Sequence, residues 1–94
     1  MLTITTPALE RLSRRLARKG AADDMALRVT RREGGWTLRL DHECAGDTAF
    51  SHEGRKVLLL DETVSDAMTN MTLDTRKGDR RSRLRLRRNA RPED

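Results

Sequence analysis

Val57-Leu58-Leu59-Leu60 puts apolar side chains on both faces of any extended strand that contains it. Such a strand has to be covered on both sides, so it is expected at the centre of a sheet with further structure above and below. The chain has little material for that task. Its 94 residues include one Trp, one Phe and no Tyr, with 35% apolar against 37% charged residues, so the core must be aliphatic. A chain of this size buries about 60 to 65% of its unfolded surface. One small soluble domain over residues 1–89 is expected, followed by a polar tail over 90–94.

The elements around that strand follow from period and punctuation. Thr3-Ile4 reads as a short strand, and Thr6 as the cap of a helix from about Pro7 to Lys19, with Pro7 in its first turn and Gly20 as its stop. Leu9, Leu12 and Leu16 form the apolar stripe of that helix. From Met25 the period becomes two. Leu27 and Val29 share a face with Arg31, Glu33-Gly34-Gly35 turns the chain, and Trp36, Leu38 and Leu40 alternate with polar residues, which makes a hairpin. Thr48 to His52 is a strand centred on Phe50, Glu53-Gly54 a turn, and Lys56 to Leu60 the central strand. Asp61 caps a short helix to Met68, with Val64, Ala67 and Met68 facing inward. Met71-Thr72-Leu73 and Leu84-Arg85-Leu86 are two further strands, joined through a Lys77-Gly78-Asp79 turn.

Charge is distributed unevenly. Residues 1–74 hold 11 basic and 12 acidic side chains, and residues 75–94 hold 9 and 3, so the net charge of +5 belongs to the last twenty residues. No stretch approaches the ~20 consecutive apolar residues of a membrane span, and the N-terminus lacks the pattern of a secretory leader. A cytoplasmic protein is expected. The single cysteine, Cys44, excludes an internal disulfide framework.

In this order of elements the chain resembles the HesB-like domain of the A-type (IscA-like) iron-sulfur cluster carriers. The matching pieces are Ile4-Thr5, Ala8 with Leu12, Ala26-Leu27-Arg28-Val29, Gly34-Gly35 and Leu40-Asp41. They continue with Gly46-Asp47-Thr48 and Phe50, Gly54-Arg55-Lys56-Val57-Leu58, Leu73-Asp74 and the strand around Leu84 to Asn89. The resemblance implies an α+β fold: a small β-rich domain with mixed and antiparallel strands, one N-terminal helix and one short helix.

The same resemblance implies chemistry built on three cysteines, one just after the Gly-Gly hairpin and a Cys-Gly-Cys pair in the C-terminal tail. Here Trp36 follows Gly34-Gly35, and the sequence reaches Asp94 about where the pair would begin. An indole offers iron no lone pair. The expectation is a degenerate member with no cofactor, its site plugged by Trp36, which serves as an aromatic anchor packed near Phe50 or as an exposed contact for a partner.

Other chemistry has narrow support. His42 and Cys44 share a face about 6 to 7 Å apart if the strand continues that far, and His52 on the next strand could complete a metal site with them. Nucleophilic catalysis would need Cys44 activated by His42 or His52, and no oxyanion-hole motif surrounds them. Asp41, Glu43 and Asp47 offer an acidic pair for general acid/base work, against the ordinary role of solvated charges near a turn. The glycines have no phosphate-loop spacing. No enzyme activity is expected.

The remaining feature is the arginine strand. With Leu84 and Leu86 inward, Arg83, Arg85 and Arg87 project outward at about 6.6 to 6.8 Å intervals, and Arg80 and Arg81 extend the row. A row like this can guard a sheet edge, meet an acidic protein surface or hold phosphates. The leading functional expectation is a non-catalytic interaction or accessory module related to cluster assembly, with an acidic protein partner on these arginines. The alternatives are a nucleic-acid-binding module using the same strand, and residual iron or cluster binding through Cys44 in a homodimer.

Overall fold

The central strand is where its apolar run places it. In the computed structural model, which describes residues 1–77 and 82–89 but not the side chains of Lys77, Ser82 and Arg83, β5 (Arg55–Leu60) carries four fully buried residues, Val57 to Leu60. It lies inside a mixed four-stranded sheet of order β3-β2-β5-β4. Here β2 (Met25–Arg32) and β3 (Gly35–His42) form the antiparallel hairpin, β2 runs parallel to β5, and β4 (Thr48–His52) returns antiparallel to β5. Register aligns Leu40, Leu27, Leu58 and Phe50 in one row across all four strands.

A second, three-stranded sheet has the order β1-β6-β7, with β1 (Thr3–Ile4) parallel to β6 (Met71–Lys77) and β7 (Ser82–Arg88) antiparallel to it. The helix α1 (Thr6–Arg18) contacts strands of both sheets and buries Ala8, Leu12 and Leu16 between them. The short helix α2 (Glu62–Ala67) packs on β2 and β5. Leu2, Leu27, Val29, Leu58, Leu60, Val64, Met68 and Leu73 complete an aliphatic core. This is a small α+β domain rich in strand.

Several details differ from the sequence reading. The cap of α1 is Thr5, whose Oγ1 accepts from the Ala8 N–H at 3.3 Å, so Thr6 is already helical. Ala8 takes the fully buried place of Leu9, which is half-buried. Ala67 is exposed because α2 turns its inner face with Val64 and Met68 alone. Strands β6 and β7 are longer than their apolar triplets, since backbone pairing continues through polar residues as far as Lys77↔Ser82. The Gly78-Asp79 part of the expected turn lies outside the described residues.

Candidate functional site

Trp36 stands second in β3, directly opposite Arg31 in the hairpin register, because the turn at Glu33-Gly34 closes on the Arg32↔Gly35 pair. Gly34 supplies the left-handed φ of +83° that this turn needs. The Arg31 guanidinium carbon lies 5.4 Å from the Trp36 ring centroid, a cation–π contact at the sheet surface. The half-buried indole also lines a cleft of about 500 Å³ between the two sheets. Val29 and Leu38 of the four-stranded sheet, Leu84 and Leu86 of β7 and Met68 line it together with the polar Arg15 and Thr37.

Trp36 does not pack near Phe50. Their strands are the two outer edges of the four-stranded sheet, with β2 and β5 between them, roughly 14 Å apart at the usual strand spacing. The sequence could not show this, because it depends on the non-local parallel pairing of β2 with β5.

The arginine strand is the edge of the three-stranded sheet. Arg85 and Arg87 are exposed, and Leu84 and Leu86 are half-buried against the core, as their alternation predicts. Arg83 lies in β7 opposite Arg76, with its side chain outside the description; Arg80 and Arg81 lie outside the described residues altogether. Asp74 sits opposite Arg85 in register, and its carboxylate is 4.0 Å from the Arg87 guanidinium. Its carboxyl is held below the ordinary range, first by the hydrogen bond donated by the Thr5 hydroxyl at 2.8 Å and then by the Thr75 N–H.

Cys44 is exposed in the segment that follows β3, since the strand ends at His42. Its Sγ lies 3.6 Å from the His42 carbonyl oxygen, and its N–H donates to Asp47 Oδ2 at 2.7 Å. Arg28 secures this segment. Its Nη1 and Nη2 donate to the two oxygens of Asp47, and its Nε to Asp41. The Arg28–Asp47 hydrogen bonds, and after them the opposite charges, raise the Arg28 pKa and lower that of Asp47, and Asp41 is lowered first by the His42 N–H and then by Arg28. The carboxylates suggested by the sequence for acid/base work are therefore occupied ion-pair partners, and Glu43 pairs with Lys56.

The structure does not bring the three metal-ligand candidates together. His42 ends edge strand β3 and pairs with Asp24 at 3.4 Å; His52 ends the opposite edge strand β4, with Glu53 at 3.9 Å. Among the described residues no group of three or more His, Cys, Asp and Glu is arranged to hold a metal ion. These residues do not match the three-thiolate site that the resemblance implies: Trp36 has no donor atom for iron, and about 20 Å of strand separates it from His42, two residues before the single cysteine, Cys44.

The fold is that of the HesB/IscA-like, A-type iron-sulfur assembly proteins. No family model and no curated protein sequence matches the chain, whereas solved structures do. SufA of Escherichia coli, described as involved in the biosynthesis of iron-sulfur clusters, superposes with a TM-score of 0.70 at 19% identity, covering 93% of this chain and 84% of SufA. IscA, in a structure with a [2Fe-2S] cluster, gives 0.60 at 18% identity over 94% and 85% of the two chains. A protein of Aquifex aeolicus solved by NMR gives 0.60 at 17% identity over 92% and 89%. Among the described residues no helix is long and apolar enough to cross a membrane.

Proposed function

We propose that this HesB/IscA-like domain serves iron-sulfur cluster assembly as a non-enzymatic, cytoplasmic interaction module that does not itself carry the cluster. What supports this reading is Trp36, which stands where the family resemblance would put a thiolate and whose indole lines the cleft, with Cys44 in the segment beyond the other end of β3. Exposed Arg85 and Arg87 supply the face for an acidic protein partner. Anaerobic reconstitution with iron and sulfide should give no stoichiometric visible chromophore. A stable cluster that survives Cys44→Ser would overturn the proposal.

The charge of β7 also favours a second reading, in which the same strand binds nucleic acid. Retention on DNA would then fall with salt at a slope of about −0.9 per phosphate contact, and Arg85→Ala with Arg87→Ala would weaken it. In a third reading, exposed Cys44 residues of two copies hold iron across a homodimer. That reading requires metal to be lost on Cys44→Ser.

A further inference from the structure

We infer that β7 accepts an extended segment of the acidic partner as an added strand, with apolar side chains of that segment entering the inter-sheet cleft. The inference rests on the partner reading above and specifies how the partner is recognised.

Backbone direction carries the first step. The Leu73 carbonyl accepts from the Thr5 N–H at 3.0 Å, so Leu73 turns its backbone groups away from β7. Its neighbours Thr72 and Asp74 turn theirs toward β7, where they meet Arg87 and Arg85. The same parity puts the Asn89 N–H on the Asn70 carbonyl at 2.8 Å. It follows that Leu84, Leu86 and Arg88 direct their N–H and C=O groups to the open side of β7, where no described strand pairs with them.

Side-chain direction carries the second step. Residues directly opposite one another in a sheet project to the same face. A strand added to β7 places the residues opposite Leu84 and Leu86 on the cleft side, and those opposite Arg85 and Arg87 beside the guanidinium groups. The cleft, at about 500 Å³, is of the size that takes small apolar groups. The recognised pattern is therefore an alternation of apolar and acidic residues. Main-chain hydrogen bonds supply affinity and the two side-chain rows supply specificity.

A second copy of the chain fits this edge poorly. Antiparallel self-pairing about Leu86 sets Arg85 against Arg87, and like charges directly opposite destabilise a sheet. Asp74, opposite Arg85 and 4.0 Å from Arg87, shows on the β6 side how a carboxylate is accommodated in this row. The added strand offers the same complement on the open side.

Trp36 is the sole tryptophan and the chain has no tyrosine, so its emission reports on the cleft directly. The probes are a synthetic peptide of alternating Leu and Glu, a peptide of the same composition in Leu and Glu blocks, a polyglutamate peptide, and the alternating peptide N-methylated at alternate amides in each register. The alternating peptide is expected to shift Trp36 emission and to protect the Leu84 and Leu86 amides from hydrogen exchange. One N-methylated register should bind about tenfold more weakly than the other. Arg85→Gln with Arg87→Gln should weaken binding by a similar factor, with the native fold checked by circular dichroism. Equal binding of the block and alternating peptides, insensitive to N-methylation, overturns strand addition and leaves an acidic partner on the arginine face. Failure of every acidic peptide to bind at low salt overturns both.

Discussion

Arg28 holds Asp47 through two parallel hydrogen bonds, Nη1 to Oδ1 at 2.9 Å and Nη2 to Oδ2 at 2.6 Å, with the Asp47 side chain only 3% exposed. The same guanidinium reaches Asp41 Oδ2 at 2.7 Å and the His42 carbonyl oxygen at 3.1 Å. Three separate pieces of sequence, one on β2, one at the end of β3 and one before β4, are thus joined by one side chain. The segment bearing Cys44 is held by this joint.

Removing the charge of Asp47 should therefore cost far more than a surface ion pair would. Asp47→Asn leaves Arg28, whose side chain is 11% exposed, without its nearest counter-charge. Because Asp41 still pairs with Arg28, the loss is that of a charge-assisted hydrogen bond, about 1.5 to 3 kcal/mol, a sizeable share of the ~5 to 15 kcal/mol available to a domain. Urea unfolding should show a lowered midpoint with an unchanged slope, and Cys44 should react faster with a thiol reagent. Arg28→Lys should not substitute, because an ammonium cannot make the forked contact.

Acid should release the same joint. The Asp47 and Asp41 carboxyls are depressed in the fold, chiefly by the Arg28 hydrogen bond for Asp47 and by the His42 N–H and then Arg28 for Asp41. A group whose folded pKa is depressed binds its proton more readily when unfolded. Its stabilisation is complete above the unfolded aspartate value of about 3.9 and is lost as pH falls below it, through the lower folded values. Stability should be flat from neutral pH down to about 5 and then decline. In Asp47→Asn the acid decline should be shallower, as measured by thermal melts across the range.

How far the sequence discloses this molecule depends on the range of each interaction. Asp61 is legible as a cap, because its carboxylate serves the Val64 N–H three residues on, at 2.8 Å. Val57 to Leu60 are legible as a central strand, because burial on both faces leaves an unbroken apolar run. The separation of Trp36 from Phe50 is not legible, since it follows from β2 and β5 pairing across some thirty residues of sequence. Of the site, the alternation of Leu84 and Leu86 with arginines is visible in the sequence. Which backbone groups face the open edge is set by the β1–β6 pairing and is not. The Arg28 cluster could have been suspected from one arginine and two aspartates, all lying in the pieces that carry the family resemblance.

The helix cap separates two readings of adjacent threonines. Thr5 Oγ1 accepts from the Ala8 N–H and donates to Asp74 Oδ1 at 2.8 Å, tying the start of α1 to β6. Thr6 is exposed in the first turn. Thr5→Ala should cost about 1 to 2 kcal/mol, and Thr6→Ala a few tenths. Chemical denaturation of both variants gives the comparison, and equal losses would contradict the observed cap.

The β4–β5 turn offers a gain in stability. Glu53 has φ +52° and Gly54 φ +79°, with His52 and Arg55 closing the hairpin, so both central residues are left-handed. Glycine adopts this geometry freely, whereas a glutamate pays about 1 kcal/mol. Asparagine tolerates it better, and Glu53→Asn gives up only a 3.9 Å contact between an exposed carboxylate and the largely buried His52. Stability should rise by about 0.5 kcal/mol, or some 2 to 4 °C in melting temperature for a domain of this size. Gly54→Ala should move in the opposite direction by about 1 kcal/mol. Its new Cβ meets nothing within 4 Å, so that loss would be conformational rather than steric crowding.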